Sequence, residues 1–574
     1  MAATTRTTRL PRRVGHRDRW VAAAVVTCVA LVVVGVLYPL GAVIGTALRP
    51  DALPRYAAFF TSPVDLTVLG NTLLLGLLIG LFGTTLGFLF AFVQARLDVP
   101  FKRTLHVIAL IPIVSPPFAI ATATIVLYGR RGLISNGLLG LDYDIYGLDG
   151  LVFVLSVSSF PVAYLGLLGM MRALDPALEE AAMNMGASRW RSFRTVILPL
   201  LAPGLAAPFL LLFVEGIADL ANPLVLGGDY TVLASRAYLA INGEFDTVTG
   251  AVYSLILLLP AVSLYFAQRY WVGRKVYVTV TGNPSGGVHL IAGWARWPIF
   301  GVALLVSAVI LSLYAAVFLG AVTEVFGINF ELTFSHLREV LFGAGQEAVI
   351  DTTIVAVIAT PVAGLAGMVI AWLVVRHLRT SAPWLDFAAT LGIAVPGTVL
   401  GIGYVLAYRT DTTIGGVTVF PALVGGTAIF GGAFAIVVSY VIRSMPAGQR
   451  IAVGSLSQLH PSIEEASMNL GASPATTFRK VTLPLIQPAL LTGLCSSFAR
   501  CMTSVSTVVF LVTPETKIMA SQILDAVNYG SYGVAFAYCM VLTAIVLASF
   551  GLIRLIVGSS ANLSRVATSP AGGA

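Results

Sequence analysis

The chain has 574 residues, of which 57% are hydrophobic and only 10% are charged, and its mean hydropathy is +0.91. A soluble domain carries roughly 25% charged residues, so this composition excludes an ordinary soluble enzyme. The net charge of +8 does not indicate a nucleic-acid partner, because six arginines crowd the first twenty residues, directly ahead of an apolar run. Such a basic flank holds an amino terminus in the cytoplasm and contacts membrane lipid. The sequence predicts a polytopic membrane protein.

The apolar runs predict about twelve transmembrane helices, each long enough to cross a bilayer. A basic cytoplasmic arm (1–19) precedes a first unit (20–268), a cytoplasmic linker (269–293), a second unit (294–557) and a cytoplasmic tail (558–574). The predicted spans are 20–48, 66–95, 104–128, 150–171, 201–226, 248–268, 294–322, 349–375, 384–408, 419–442, 487–512 and 533–557.

The basic residues indicate the orientation of these spans. With the amino terminus inside, the predicted outer segments hold eight of the 34 lysines and arginines, and Arg500 lies in a span. The other 25 fall on the inner side, which is the bias expected of cytoplasmic loops. Both termini are therefore predicted to be cytoplasmic.

A repeat relates the two halves of the chain. Residues 176–199 and 461–484 are identical at 14 of 24 positions without a gap, at an offset of 285. Earlier landmarks also repeat, 280 residues apart: Arg96 with Arg376, and Pro116 with Pro396. Because each unit starts and ends inside, the repeats are parallel. The fold class predicted is an all-α membrane protein of two homologous six-helix units.

The repeated segment has the features of a short helix-turn-helix. Asp175 and Pro176 suit a cap and a first helical position, and Gly186 and Gly471 suit the position just past a helix end. Ser188 and its counterpart in the second copy would begin the second helix. A single copy is equally compatible with a plain connecting loop, but two near-identical cytoplasmic copies favour a docking surface.

This segment resembles the EAA motif of binding-protein-dependent ABC importer permeases of the type I fold, in the form that fuses both units in one chain. The motif reads Glu-Ala-Ala, three residues, Gly, nine residues, an aliphatic residue, one residue, Leu-Pro. The second copy departs from it only at Ser467, which replaces the second alanine. In that family the segment is a coupling helix that sits in a groove of a separate ATPase subunit. The resemblance implies this role for Glu179, Glu180, Ala181, Ala182 and Gly186, and for Glu464, Glu465, Ala466, Ser467 and Gly471.

The chain is not expected to be an enzyme. It lacks a phosphate-binding loop of the form GxxxxGK[ST], and contains no Gly-Lys pair at all. The resemblance implies that ATP and Mg bind to partner ATPase subunits, as a homodimer, and that an extracytoplasmic substrate-binding protein delivers the cargo. It places the chain in the bacterial plasma membrane as a multi-pass protein that works by alternating access.

Ionisable residues inside the spans predict a translocation pathway. Glu215 in the fifth span and Arg500 in the eleventh are 285 residues apart, and so occupy equivalent positions in the repeat. We hypothesise an ion pair or gate between the halves, with helix-packing hydrogen bonds as the alternative. The same offset relates Asp219 to Ser504 and Asn222 to Thr507. These four residues extend a polar stripe along one helix face, although polar residues at helix interfaces are also ordinary packing residues.

The cargo is inferred from resemblance alone. Residues 215–228, 499–511 and 528–539 resemble the ferric-iron permeases within the family. Close relatives are assigned to 2-aminoethylphosphonate, which stays an alternative, as does another small solute. The six histidines are scattered and predict no metal site. An ion-driven secondary transporter is the rival of a different class, but it has no use for two docking helices.

Overall fold

The computed structural model describes residues 19–272, 293–378, 381–414, 417–426 and 428–567. Most of the predicted arm, the centre of the predicted linker and the end of the predicted tail lie outside these ranges.

Within its described residues, the first half of the chain contains thirteen α-helices. A π-helical turn joins the first two and lets them run as one span, Arg19–Ala47. The helices are α1 Arg19–Val32, α2 Tyr38–Ala47, α3 Leu53–Thr61, α4 Pro63–Arg96, α5 Lys102–Val114, α6 Pro117–Tyr128, α7 Leu148–Ala173, α8 Pro176–Asn184, α9 Arg189–Ser192, α10 Leu198–Ala218, α11 Ala221–Leu226, α12 Leu233–Asn242 and α13 Thr247–Phe266.

The second half repeats this plan and adds two short antiparallel hairpins, β1 with β2 and β3 with β4. Its elements are α14 Arg296–Val322, β1 Thr323–Val325, β2 Asn329–Leu332, α15 Ser335–Phe342, α16 Gln346–Trp372, α17 Ala382–Ala394, α18 Gly397–Tyr408, β3 Thr412–Ile414, β4 Val417–Phe420, α19 Ala433–Gln458, α20 Ser462–Asn469, α21 Pro474–Thr477, α22 Leu483–Leu485, α23 Gln487–Thr503, α24 Met519–Asn528 and α25 Tyr532–Ala567.

The number of spans agrees with the prediction only if bent helix pairs are counted. Within the described residues, nine helices are long and apolar enough to cross a membrane, and three bent pairs raise the total to as many as twelve. The spans predicted at 104–128 and 384–408 are bent: α5 and α6 meet at 106°, and α17 and α18 at 100°. Proline explains both bends. Pro116 and Pro396 force the residue before them out of the helical region.

Two further predicted spans end early. The span predicted at 201–226 stops at Ala218, and the one predicted at 487–512 stops at Thr503. The next residue in each case, Asp219 or Ser504, has extended backbone angles. The repeat therefore conserves a chain break at the same place in both halves, and short helical segments follow it.

The span predicted at 419–442 is misplaced. β4 occupies its beginning, and α19 runs on from Ala433 to Gln458. The sequence predicts the end of this span before Arg443 because a charged residue marks a boundary. Ser444 and Gln449 are nevertheless buried, so tertiary packing carries the helix through this polar stretch.

The two halves interlock through their first spans. α2 packs against α18 of the second half, and α14 packs against α6 of the first. Tyr404 and Tyr408 on α18 donate hydrogen bonds to the carbonyls of Gly35 (3.0 Å) and Val34 (2.6 Å) in the π-helical turn. A π-helical turn leaves carbonyls outside the regular ladder, which gives the tyrosines their acceptors. The first span of each half therefore packs against a helix of the other half.

Close helix packing within the first half gives a stability prediction at Gly87. This glycine lies where α4 meets α7, and a Cβ there would lie 2.6 Å from the Cβ of Ala163 and 2.8 Å from the backbone nitrogen of Tyr164. Gly87→Val is expected to destabilise the protein by roughly 1–3 kcal/mol, because backbone cannot move aside as a side chain can. Thermal unfolding in detergent measures this. Gly70→Val, on the same helix with open space around it, should unfold like the unaltered protein.

Candidate functional site

The first copy of the repeated segment forms the predicted short helix with a defined start and end. The Asp175 carboxylate accepts a hydrogen bond from the backbone N–H of Ala177 (2.9 Å) at the start of α8. Gly186 follows the helix with φ +87°. The N–H of Ala187 reaches back to the carbonyl of Ala182 (3.0 Å), which completes a glycine-terminated C-cap.

The second copy ends in the same way. Gly471 has φ +88°, and the N–H of Ala472 bonds to the carbonyl of Ser467 (3.2 Å). The predicted glycine position past each helix is thus what the structure has. Ser467, the one departure from the motif, shares a hydrogen bond of 3.0 Å with the hydroxyl of Thr477 on α21. The hydroxyl therefore ties the two short helices of this copy together.

A shielded ion pair anchors each copy of the repeated segment (176–199 and 461–484) to a long helix. Arg96 in the last turn of α4 lies 2.6 Å from the Glu179 carboxylate, and the two side chains are 8% and 14% exposed. Arg376, in the π-helical turn Leu373–His377 that continues α16, lies 3.2 Å from Glu464, and these side chains are 11% and 13% exposed. Arg376 also donates to two carbonyls at the C-terminal end of α19. The sequence showed both arginines as repeat landmarks but did not show their partners.

The other face of each copy of the repeated segment points away from the long helices. Met185 is 83% exposed and its counterpart Leu470 is 90% exposed, each at the residue just before the positive-φ glycine. Ala181, Ala466 and Glu465 are exposed as well, and Glu180 is partly exposed, whereas Ala182 is buried. Large apolar side chains exposed at equivalent places in two copies are typical of an interaction surface.

The predicted pathway residues lie around the breaks that end α10 and α23. The Asp219 carboxylate accepts hydrogen bonds from the backbone N–H (3.0 Å) and the side-chain amide (2.9 Å) of Asn222. Thr507 donates to the carbonyl of Gly397 (3.0 Å) at the start of α18. Both Asn222 and Thr507 are fully buried. These two residues shape the backbone at the breaks.

A polar cavity of about 170 Å³ lies between the two halves at this level. Asp219, Arg500 and Ser504 face it, whereas its lining does not include Asn222 or Thr507. The described residues that line it are Pro117, Asp219, Ala221, Arg443, Arg500, Thr503, Ser504, Val505 and Ser506. Three of the six predicted pathway residues are therefore brought together in one cavity.

Arg443 is the cavity residue that the sequence did not reveal. It lies in α19, and its Nη1 atom is buried without a hydrogen-bond partner. An apolar run ends directly before Arg443, so its position in the sequence is typical of a residue that flanks a span. Its occurrence beside Arg500 makes the second half supply two cations to the cavity.

Glu215 lies on α10, one helical turn before Asp219. It interacts electrostatically with Arg500 and Arg443. Among the described residues, however, no salt bridge joins Glu215 to Arg500. The basic residues that do form ion pairs there are Arg55, Arg96, Arg130, Arg236, Arg269, Arg296, Arg376 and Lys517. The hypothesised pair is therefore a pair of electrostatic neighbours that do not touch in this conformation.

In this region, the two halves of the chain contribute charges of opposite sign. The first half contributes the carboxylates Glu215 and Asp219, and the second contributes the guanidinium groups of Arg443 and Arg500. In the described part of the chain, no group of three or more His, Cys, Asp or Glu is arranged to hold a metal ion.

Comparison with known proteins shows which family has this architecture. Residues 83–277 and 347–559 each match the family described as binding-protein-dependent transport system inner membrane component. The chain is 32% identical over 570 residues to the ferric transport system permease protein FbpB of Actinobacillus pleuropneumoniae, which covers 95% of this chain and 79% of that protein. It is 32% identical over 536 residues to a putative ferric transport system permease protein, FbpB 1, of Haemophilus influenzae, covering 88% and 80%.

Among solved structures, a bacterial ABC transporter involved in the import of the acidic polysaccharide alginate aligns with a TM-score of 0.38 and 20% identity. That alignment covers 45% of this chain and 96% of the other.

Proposed function

Because the chain belongs to the binding-protein-dependent transport system inner membrane components, we propose that it is the permease subunit of an ATP-driven importer of ferric iron. The observation that carries the cargo is the 32% identity to two proteins named as ferric transport permeases, over 95% and 88% of this chain. The proposed site of action is the bacterial plasma membrane, with both termini in the cytoplasm.

The coupling segments are the proposed contacts with separate ATPase subunits. One segment, α8 with α9, and its counterpart, α20 with α21, would each enter one subunit of an ATPase homodimer that binds ATP and Mg. The exposed apolar side chains of Met185 and Leu470 supply contact area for this docking. An extracytoplasmic substrate-binding protein would deliver the cargo to the opposite side of the membrane.

The ion pairs suggest how closure of the ATPase would reach the membrane. A movement of α8 pulls on α4 through Glu179 and Arg96, and a movement of α20 pulls on α16 through Glu464 and Arg376. Nucleotide binding would bias an equilibrium between two arrangements of the halves, which differ in their contacts. The pathway would then open alternately to either side.

A transport assay tests the proposal. The complete complex with its ATPase and binding protein is placed in liposomes, and uptake of labelled ferric iron and of 2-aminoethylphosphonate is measured with and without ATP. ATP-dependent iron uptake is the expected result. ATP-dependent uptake of the phosphonate alone would keep the coupling and replace the cargo. Uptake that ignores ATP would favour an ion-driven secondary transporter instead.

The docking surface gives a prediction of its own. Met185→Glu combined with Leu470→Glu is expected to weaken co-purification of the ATPase by about tenfold or more, because two charges replace the apolar contacts of the proposed interface. Thermal stability should change little, since both side chains are exposed. Leu138→Glu is a matched control, because Leu138 is 77% exposed and lies after α6, away from both coupling segments. Full retention of the ATPase by the double variant would contradict the docking assignment.

A further inference from the structure

The two coupling segments differ most in the helix that follows the shared glycine. Residues 189–191 in α9 read Arg-Trp-Arg, whereas the equivalent residues 474–476 in α21 read Pro-Ala-Thr. We propose that Trp190 and Arg191 bind an acidic pocket with an apolar wall on one ATPase subunit, a contact that the second segment lacks. Two identical ATPase subunits would then be held with unequal affinity. This inference rests on the proposed docking of the coupling segments, and its test separates the two.

Trp190 is exposed and yet held in place. Its side chain is 68% exposed, although tryptophan is highly buried on average. The indole stacks on Phe193 with 5.7 Å between ring centroids, and Phe193 meets Phe92 on α4 edge to face at 5.8 Å. A side chain that is already held in position loses little freedom when it binds a partner. Trp190 therefore has the properties of an interface anchor.

The second copy shows that the fold of the segment does not require this tryptophan. Phe478, the counterpart of Phe193, also contacts a ring of the neighbouring long helix, Trp372 at 4.9 Å. Ala475 stands in place of Trp190, so the row of rings ends at Phe478. The same pair of short helices nevertheless forms. A role in folding therefore does not account for Trp190.

The second copy also uses its own polar residues internally. The Thr482 hydroxyl donates a hydrogen bond to the Glu464 carboxylate (2.8 Å), in addition to the bond between Ser467 and Thr477. The first copy has isoleucine and alanine in place of Thr482 and Ser467, so neither bond can form there. The second segment is thus held together from within, whereas the first directs an aromatic and a charged side chain outward.

The charge beside Trp190 defines the kind of partner. Arg191 and Arg194 are both exposed, and among the described residues no ion pair involves either of them. Spacings of three and four residues bring Trp190, Arg191 and Arg194 onto neighbouring parts of the helix surface. Guanidinium groups pair with carboxylates in a planar fork, and an indole ring needs an apolar wall. An acidic pocket with such a wall fits this surface.

Tryptophan and arginine are also common at the inner surface of a membrane, so lipid headgroups are the rival partner. The continuous helix Trp190–Ala218 has 29 residues, whereas a span needs about 20. The charges of Arg191 and Arg194 place the surplus at its first end, which extends about 13 Å beyond the hydrocarbon core at 1.5 Å per residue. The headgroup layer is roughly 5–8 Å thick. We therefore assign Trp190 to a protein partner.

Binding of the ATPase to the full chain in lipid nanodiscs, without nucleotide, tests the proposal. Biolayer interferometry should resolve two phases, because the dissociation constants of the two sites should differ by about tenfold or more. Trp190→Ala with Arg191→Thr gives the first segment the residues of the second, and a single weak phase should remain. Ala475→Trp with Thr476→Arg makes the reverse exchange, and a single tight phase should result.

The controls address the loss of a tryptophan and the lipid alternative. Trp294→Ala removes an indole that is 83% exposed just before α14, outside both segments, and should leave both phases unchanged. Discs of phosphatidylcholine and of phosphatidylglycerol should give the same result.

Three outcomes would each overturn the proposal: a single phase for the unaltered chain, two unchanged phases after Trp190→Ala with Arg191→Thr, or an effect of that variant in phosphatidylglycerol discs only. The docking assignment itself fails in a different way, because Met185→Glu with Leu470→Glu would then retain the ATPase. Cargo does not enter the measurement, so failure of the iron proposal leaves the result unaffected.

Discussion

Replacing Arg96 and Arg376 together by glutamine is expected to separate ATP hydrolysis from transport. Each arginine joins the end of a long helix to a coupling segment, and the side chains of both ion pairs are at most 14% exposed. Removal of one partner leaves a shielded carboxylate without its counter-charge, which costs on the order of 3 kcal/mol for a buried pair. The coupling helices would then move without α4 and α16. We expect ATP-dependent uptake to fall by about tenfold or more while the complex still hydrolyses ATP.

Two further variants distinguish coupling from stability. Adding Glu179→Gln and Glu464→Gln removes the stranded carboxylates, so thermal stability should recover while transport stays low. Arg130→Gln breaks an ion pair whose arginine side chain is 72% exposed, and it should alter neither property, since exposed pairs contribute little. If the Arg96 and Arg376 double variant transports cargo at the normal rate per ATP hydrolysed, the ion pairs do not transmit the movement.

The short helices of the repeated segment were largely predictable because their signals are local. A cap before Pro176 and a glycine past each helix end are read within ten residues of sequence, and the second copy repeats the proline and the glycine. The ion pairs were not predictable in the same way. Arg96 and Glu179 are 83 residues apart, and neither the periodicity nor the composition of a helix names a partner at that distance. The repeat held the available clue, since both members of the pair recur in the second half.

The polar cavity was only partly predictable for a different physical reason. Hydropathy reports that a segment prefers lipid or a protein interior, but not the direction of its axis, so the bends at Pro116 and Pro396 were missed. The same criterion ended a span at Arg443, because a charge costs several kcal/mol inside lipid. That cost does not apply where neighbouring helices surround the charge, and only the tertiary structure shows that they do.

The coupling segments and the cavity are connected by one continuous helix in the first half and by a helix pair bent by 79° in the second. α9 continues through a π-helical turn, Phe193–Ile197, into α10, and α21 continues through Phe478–Thr482 and α22 into α23. α10 ends at the break that carries Asp219, and α23 places Arg500 in its last turn. A displacement of either coupling segment is therefore applied to a helix that forms one wall of the cavity. In the proposed complex, this connection would join closure of the ATPase to the geometry of the cavity.

Glu215→Gln is expected to lower both stability and transport, because the region holds two carboxylates and two guanidinium groups. Removing one carboxylate leaves a net positive charge within the membrane, and a charge at the centre of a span costs roughly 2.5–3.5 kcal/mol. Arg443→Gln should have a similar effect with the opposite sign of charge. We expect each single variant to lower the unfolding temperature in detergent, and to reduce ATP-dependent uptake by about tenfold or more.

The combined variant shows which property the charges serve. Glu215→Gln with Arg443→Gln restores neutrality, so its unfolding temperature should return towards that of the unaltered protein, and double-mutant coupling should be positive. Its uptake should stay low, because the cavity has lost one of the two arginines that line it, Arg443. Glu244→Gln, at an exposed position, controls for the substitution itself. Recovery of transport together with stability in the combined variant would mean that these charges only hold the helices together. Normal uptake by Glu215→Gln and Arg500→Gln, singly and together, would mean that Glu215 and Arg500 do not belong to the pathway.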